Sequence, residues 1–166
     1  AVDLVFPYDE KERKSVTVFS LIDVFSRYHF VVNLGNRFKM ELESKEKEDA
    51  LLEALDQVRR FMGLPVTLLA DGDGQLRTPV IEEWLASFGV EYKYSSAEAP
   101  WQNGIAERHG ALIKLVLKEF YDDARPGPLP TFERLLAQAV AAKNERPGGA
   151  EQLGLTPNAL WHGRDL

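Results

Sequence analysis

Asp71 and Asp73 follow directly on the apolar run PVTLLA, within the segment DGDGQL. An Asp-Gly pair after a strand is typical of a turn, and such a turn needs no chemistry. Two other acids favour a functional interpretation, because Asp3 lies in the first apolar segment and 35 residues separate Asp71 from Glu107. Sites in α/β proteins form where strand ends and the following loops gather, so we expect Asp3, Asp71 and Glu107 to converge.

The elements that must position these acids follow from hydrophobic patterns and from Gly, Pro and capping residues. Five strands are predicted, at 2–7, 15–23, 28–34, 66–70 and 90–94. Five helices are predicted, at 45–62, 78–89, 105–121, 131–145 and 156–163. Strands joined by tight turns pair antiparallel, whereas strands separated by helices run parallel to a neighbour. We therefore expect one mixed five-stranded sheet, three antiparallel strands followed by parallel ones, with helices on both faces.

The predicted helix 105–121 carries charges along one side. At 100° per residue, Lys114 and Lys118 fall within about 20° of Glu107. The opposite side holds Ile105, Leu112 and Val116, which we expect to pack against the rest of the chain. A solvated amphipathic helix is the simpler explanation of this pattern, and it stays open on the wheel alone.

The segments around these acids resemble the catalytic core of DDE integrases and transposases, especially that of copia-like retroelement integrases. The segment PWQNGIAER (100–108) is similar to the Pro-x-x-Asn-Gly-x-x-Glu-Arg motif of that family, and DGDGQL is similar to its Asp-Asn-Gly segment. In this alignment Asp73 stands where the family has Gly, so it belongs to the turn. The resemblance implies the ribonuclease H-like fold and makes Asp71 and Glu107 two of three catalytic carboxylates.

Other segments extend the resemblance over nearly the whole chain. SLIDVFSRYHFVVNL (20–34) resembles the Ile-Asp-x-Phe-Ser-Arg hairpin of the family, while AKNERP (142–147) and TPNALWHGRD (156–165) resemble the end of its core. We therefore interpret residues 1–166 as one integrase catalytic core domain, cut from a longer polyprotein, with its C-terminal helices in 122–166.

The resemblance places the first catalytic Asp on the first strand, which favours Asp3. Asp23 is the alternative, because it belongs to the family-like hairpin, but it could equally cap the turn DVFSR. With Asp71 and Glu107, the first Asp would hold two Mg²⁺ or Mn²⁺ ions, since Mg²⁺ takes hard oxygen ligands. Two such ions stabilise both the attacking and the leaving oxygen of a phosphodiester transfer. The implied reactions are 3′-end processing of an element and strand transfer into target DNA.

The implied partner is double-stranded DNA, both element ends and target, together with further copies of the chain. Candidate DNA contacts are Asn103, Arg108, Lys114, Lys118 and Trp101. The net charge of −6 argues against strong DNA binding. However, many of the acids lie in 41–56, whereas the surroundings of Glu107 are basic, so we expect weak binding by this segment alone.

Composition excludes several other classes. The chain has 45% hydrophobic and 28% charged residues, as soluble globular domains do. No apolar run approaches the roughly 18 residues of a membrane span, and we expect neither a membrane nor a small-molecule substrate as partner. The absence of cysteine fits a reducing compartment, so the nucleus or a cytoplasmic virus-like particle is expected.

Two other functions are compatible with parts of the sequence. One is a domesticated, non-catalytic module that binds DNA or protein, but such a domain has no reason to keep three site carboxylates. The other is a ribonuclease H-like nuclease, but such enzymes usually carry a fourth site carboxylate and lack the Pro-x-x-Asn-Gly-x-x-Glu-Arg segment.

Overall fold

The computed structural model describes residues 1–9, 11–12, 14–35, 44–70, 76–95, 104–122, 131–147 and 154–163. Among the residues singled out above, Asp71, Asp73, Trp101 and Asn103 lie outside these ranges. None of the helices within them is both long enough and apolar enough to cross a membrane.

A mixed sheet of five strands forms the centre of the fold. Its strands are β1 (Val2–Val5), β4 (Thr17–Ile22), β5 (His29–Gly35), β6 (Thr67–Ala70) and β7 (Glu91–Tyr94). They lie side by side in the order β5-β4-β1-β6-β7. β1 pairs antiparallel with β4 and parallel with β6, so the sheet changes direction at β1. This confirms the sheet that the sequence predicts, in strand number and in strand direction.

A short hairpin, β2 (Tyr8–Asp9) with β3 (Lys14–Ser15), connects β1 to β4. The carboxylate of Asp9 is buried and accepts hydrogen bonds from the backbone N–H groups of Lys11 and Glu12, as well as from the Tyr121 hydroxyl. Asp9 therefore stabilises this hairpin and ties it to the helix that contains Tyr121.

Five helices of the described residues surround the sheet: α1 (Ser44–Met62), α2 (Pro79–Ser87), α3 (Gly104–Asp122), α4 (Phe132–Asn144) and α5 (Pro157–His162). Their bounds agree with the predicted ones to within two residues. Thr78, Thr131 and Thr156 act as N-caps, each accepting a hydrogen bond from a backbone N–H in the first turn. The cap at Thr78, followed by Pro79 at the first helical position, is the start signal on which the prediction of α2 rested.

The two faces of the sheet carry separate cores. α1 and α2 cover one face, where Leu51, Leu55 and Leu85 share a cluster with Val2 and Leu4 of β1. The other face carries α3 and α4, where Ile113, Leu117 and Leu135 share a cluster with strand β4. Because side chains alternate along a strand, Asp3 and Val5 point to the face that α3 and α4 cover.

The packed side of α3 differs from the predicted one. Ile105, Leu112 and Val116 are only half-buried, whereas the buried residues are Ala106, Gly110, Ile113 and Leu117. The prediction is confirmed only for Val116, which packs against the core under α3 and α4. It placed the centre of the buried side wrongly because it gave weight to large apolar side chains, while two of the buried residues are small. The centre of the buried side lies about 90° from Glu107 at 100° per residue, so Glu107 is at the border of the helix–sheet contact.

Asn144, the last residue of α4, closes the outer edge of β5. Its side-chain oxygen accepts a hydrogen bond from the His29 N–H at 2.9 Å, and its amide donates to the His29 carbonyl at 2.8 Å. Both residues are buried, so without Asn144 two backbone groups would lose their partners in the interior.

We predict that Asn144→Ala lowers the free energy of unfolding by about 2–3 kcal/mol, because it leaves the N–H and C=O of His29 unpaired. Urea unfolding followed by circular dichroism measures this change. Asn158→Ala is the control, because Asn158 bonds Glu145 at the exposed surface and its loss is expected to cost under about 0.5 kcal/mol. Equal effects of the two substitutions would contradict the bridging role of Asn144.

Candidate active site

Asp3 is the second residue of the central strand. It pairs with Ser20 of β4 in the β1–β4 register, and its side chain is partly buried. Its Oδ1 atom accepts a hydrogen bond from the Leu4 N–H at 2.8 Å. Asp3, which the sequence analysis preferred as the first carboxylate, thus lies on a strand that is paired with another strand on each side.

The strand that precedes Asp71 ends beside Asp3. β6 runs parallel to β1, and its last residue, Ala70, pairs with Val2. On the other side Ala70 pairs with Tyr94 of β7, and its carbonyl accepts a hydrogen bond from the Ser95 N–H at 2.9 Å. β6 therefore brings Ala70, the residue before Asp71, next to Asp3, which is the strand arrangement that the sequence analysis expected; Asp71 itself lies outside the described residues.

Glu107 lies in the first turn of α3 and is exposed. The helix packs directly on β1, because Gly110 lies against the side chain of Val5. Further along α3, Ile113 and Leu117 share their cluster with Val16 and Val18 of the β3–β4 segment. α3 therefore runs along the sheet with its first turn toward the end of β1 that holds Asp3.

Asp23 has a different role in the structure. Its Oδ2 atom accepts two hydrogen bonds of 2.7 Å from Ser26, one from the backbone N–H and one from the hydroxyl. The turn also holds Arg27 in the left-handed region, at φ 62°. Asp23 thus caps the β4–β5 turn, the alternative function that its sequence context allowed.

The basic candidates on α3 are all accessible. Arg108, Lys114 and Lys118 are exposed, and the two lysines lie on the same side of the helix as Glu107. Among the described residues, no group of three or more His, Cys, Asp or Glu side chains could hold a metal ion. The proposed third ligand, Asp71, lies outside that set, so Asp3 and Glu107 are the two members of the trio that the structure describes.

A buried polar layer next to Asp3 was not found by the sequence analysis. His29 of β5 is 1% exposed, and its Nε2 atom lies 2.7 Å from the hydroxyl of Ser20, the residue opposite Asp3. The His29 ring meets the ring of His109 edge-to-face, with centroids 6.1 Å apart. Lys143 of α4 donates a hydrogen bond of 2.6 Å to the Arg27 carbonyl beside them.

Burial and positive neighbours keep this layer poorly protonated. Burial, and then the charges of Lys143 and His109, hold the pKa of His29 well below its usual value. Burial, and then the charges of Lys143, Arg27 and Arg108, lower the pKa of His109 to about 3. Burial and the charge of Arg27 lower the pKa of Lys143 to about 7. Both histidines are therefore neutral near pH 7, and His109 is half-buried.

One signal could have found part of this layer. His29 alternates with Val31 on the strand that follows the hairpin, which is the periodicity of a residue on a packed face. The contact between His29 and His109 has no such signal, because 79 intervening residues separate the two.

No protein-family model and no curated protein sequence matches this chain. Solved structures do match it. A chain of the simian T-cell lymphotropic virus intasome, solved in complex with the PP2A regulatory subunit B56 gamma, superposes with a TM-score of 0.72 at 18% identity over 99% of this chain. The chain spans 54% of the length of that viral protein.

Two isolated cores match over most of their own length. The HTLV-2 integrase catalytic core domain in complex with magnesium, in a trimeric form, has a TM-score of 0.67 at 20% identity, covering 97% of this chain and 93% of that one. The catalytic core domain of BIV integrase has a TM-score of 0.65 at 17% identity, covering 98% and 91%. The fold is that of the retroviral integrase catalytic core. The predicted ribonuclease H-like fold is thereby confirmed.

We predict that the integrase-like fold loses stability as the pH falls below about 6.5. In this range the histidines of the unfolded chain bind protons, whereas the buried histidines of the folded chain stay neutral. For a histidine with a depressed pKa, stability is full above the unfolded pKa and declines toward the folded one. His29 alone is expected to contribute a slope approaching about 1.4 kcal/mol per pH unit. Urea unfolding between pH 7.5 and 5 measures this slope.

His29→Gln, which keeps a polar atom in reach of Ser20, should flatten that slope. His162→Gln is the control, since His162 is exposed on α5 and solvent reaches its side chain in both states. A slope that His29→Gln leaves unchanged would show that His29 is not the group held neutral.

Proposed function

We propose that this chain is the catalytic core of a retroelement integrase, a metal-dependent polynucleotidyl transferase closest to the copia-like integrases. The observation that supports this most strongly is the arrangement of the sheet. Asp3 lies on the central strand, and β6 ends beside it at Ala70, one residue before an Asp that 35 residues separate from Glu107. An integrase-like fold and the spacing of the acids are independent observations, and the proposal accounts for both.

In this proposal Asp3, Asp71 and Glu107 hold two Mg²⁺ or Mn²⁺ ions. The donor set fits such ions, because carboxylate oxygens are hard ligands and Glu107 is open to solvent. The HTLV-2 integrase core, which shares this fold, was solved in complex with magnesium. When bound, two divalent ions would lower the pKa of the attacking hydroxyl or water and stabilise the charge on the leaving oxygen.

The chain's own residues supply position and charge. The β1 backbone holds Asp3 rigidly, because β1 has hydrogen-bonded neighbours on both sides. The exposed stripe of Lys114 and Lys118 lies beside Glu107 and would bind DNA phosphates, with Arg108 as a third cation. Asn103 and Trp101 precede α3 in the chain and complete the proposed DNA contacts, Asn103 by hydrogen bonds and Trp101 by stacking on a base.

The proposed partners are double-stranded DNA, at the element ends and the target, and further copies of this chain. The related structures are an intasome and dimeric and trimeric forms of a catalytic core, which supports an oligomer here. The reaction would take place in the nucleus or in a cytoplasmic virus-like particle. Residues 1–166 would form a single catalytic domain of a longer protein.

We predict that Glu107→Gln abolishes Mn²⁺-dependent disintegration of a branched oligonucleotide, because Gln keeps the size of Glu but loses the charge that an ion needs. The melting temperature without ions should stay equal or rise, since removing one of several close carboxylates relieves repulsion. Gel analysis of the products and thermal unfolding measure the two effects.

Glu119→Gln is the matched control on the same helix, because Glu119 is exposed and outside the proposed site. Full activity of Glu107→Gln would refute the role of Glu107. An inactive wild-type chain that still binds DNA would instead support the domesticated, non-catalytic alternative.

We also predict that Mn²⁺, and more weakly Mg²⁺, raises the melting temperature. An ion that binds only the folded chain stabilises it by about 2.7 kcal/mol when its concentration is 100 times its dissociation constant. Asp71→Asn should remove most of this rise, whereas Asp73→Asn should leave it nearly intact. The opposite result would mean that the segment DGDGQL is aligned wrongly by two residues.

A further inference from the structure

The first half of α3 carries two small residues on its buried side, Ala106 and Gly110. Glycine in the middle of a helix is unfavourable relative to alanine, because it loses more backbone entropy on folding. Gly110 does not have a positive φ, so its backbone conformation does not require glycine. The reason for glycine at this position must therefore lie in its surroundings.

The surroundings of Gly110 leave no room for a side chain. A Cβ atom at this position would lie 2.9 Å from Cγ2 of Val5, 3.6 Å from its Cγ1 and 3.9 Å from its Cβ. Val5 is 4% exposed, and a β-branched side chain has little freedom about χ1. Of the two other staggered χ1 rotamers of Val5, one puts the second methyl group in the same place, and the other clears the contact only by moving a methyl group elsewhere in a buried site. We therefore expect a larger residue at 110 to push α3 away from β1.

This contact adjoins the two described carboxylates of the proposed site. Val5 follows Asp3 by two residues and points to the same face of β1, while Gly110 follows Glu107 by three residues, less than one helical turn. The distance between helix and strand at Gly110 therefore sets how near the first turn of α3 comes to Asp3. Groups that must share ions tolerate little displacement, and a shift of about 1 Å in a catalytic group can reduce a rate about 100-fold.

We propose that Gly110 is a positioning residue, which brings Glu107 within reach of the ions that Asp3 holds by allowing α3 to contact Val5. This inference rests on the proposed function. It assigns Gly110 no contact with DNA or metal, because the residue acts only through the approach of α3 to β1. A side chain at 110 is therefore expected to impair the ion site while leaving the exposed cations of α3 in place.

The test is a double-mutant cycle with wild type, Gly110→Ala, Val5→Ala and the double variant, all assayed for Mn²⁺-dependent disintegration. Gly110→Ala should lower kcat at least tenfold and leave KM for the oligonucleotide within twofold. It should also halve the Mn²⁺-induced rise in melting temperature. The double variant should return kcat to within threefold of Val5→Ala, because removal of the two methyl groups reopens the space.

A Gly110→Ala variant with wild-type kcat overturns the inference, as does a loss of kcat that Val5→Ala fails to restore. If Gly110→Ala does not fold, the Val5→Ala background carries the comparison, with Ala, Ser and Val at position 110. There kcat should fall in order of side-chain size, and equal rates would reject the role. A wild-type chain with neither activity nor an ion response rejects the proposed function and this role together, whereas an active wild type with an unaffected Gly110→Ala rejects only the role.

Discussion

The central strand β1 constrains the rest of the structure, because it must pair in opposite directions on its two sides. Its antiparallel pairing with β4 places Ser20 and the β4–β5 hairpin on one side of Asp3. Its parallel pairing with β6 places the end of that strand on the other. Functional groups in α/β sheets gather where parallel strands end. Among the described strands, the parallel pairs are β1 with β6 and β6 with β7. Asp3 is thus the member of the proposed site that lies on a strand paired on both sides.

The helix–sheet contact above β1 completes this arrangement. α3 reaches β1 through Gly110 and continues over the apolar part of the sheet with Ile113 and Leu117. Since its buried side lies about 90° from Glu107, the carboxylate stands at the edge of the contact rather than under it or opposite it. One helix can therefore both close the core and hold the carboxylate that we propose as a ligand. If Ile105, Leu112 and Val116 had faced the sheet instead, Glu107 would point to the opposite side of the helix from the sheet.

The polar layer of Ser20, His29 and His109 consists of uncharged groups near the β4–β5 hairpin. The hydrogen bond between Ser20 and His29 is buried in the interior. Burial and positively charged neighbours lower the pKa of both histidines and so keep them neutral. Asn144 of α4 forms hydrogen bonds with the backbone N–H and C=O of His29, and the His29 ring contacts His109 of α3. Strand β5, helix α3 and helix α4 therefore meet at His29.

The sequence by itself determined the secondary structure, the strand directions and the capping alternative for Asp23. These depend on local physics: Thr78 and Pro79 start α2 wherever it packs, and a short turn after β4 forces antiparallel pairing with β5. Only the tertiary structure decided which side of α3 is buried. That choice depends on the space beside Val5, which is more than 100 residues away from Gly110 in sequence. A glycine has no side chain whose hydrophobicity could indicate, from the sequence alone, that its side of the helix is buried. The same holds for His29 and His109, whose neutrality comes from burial by segments that no local pattern connects.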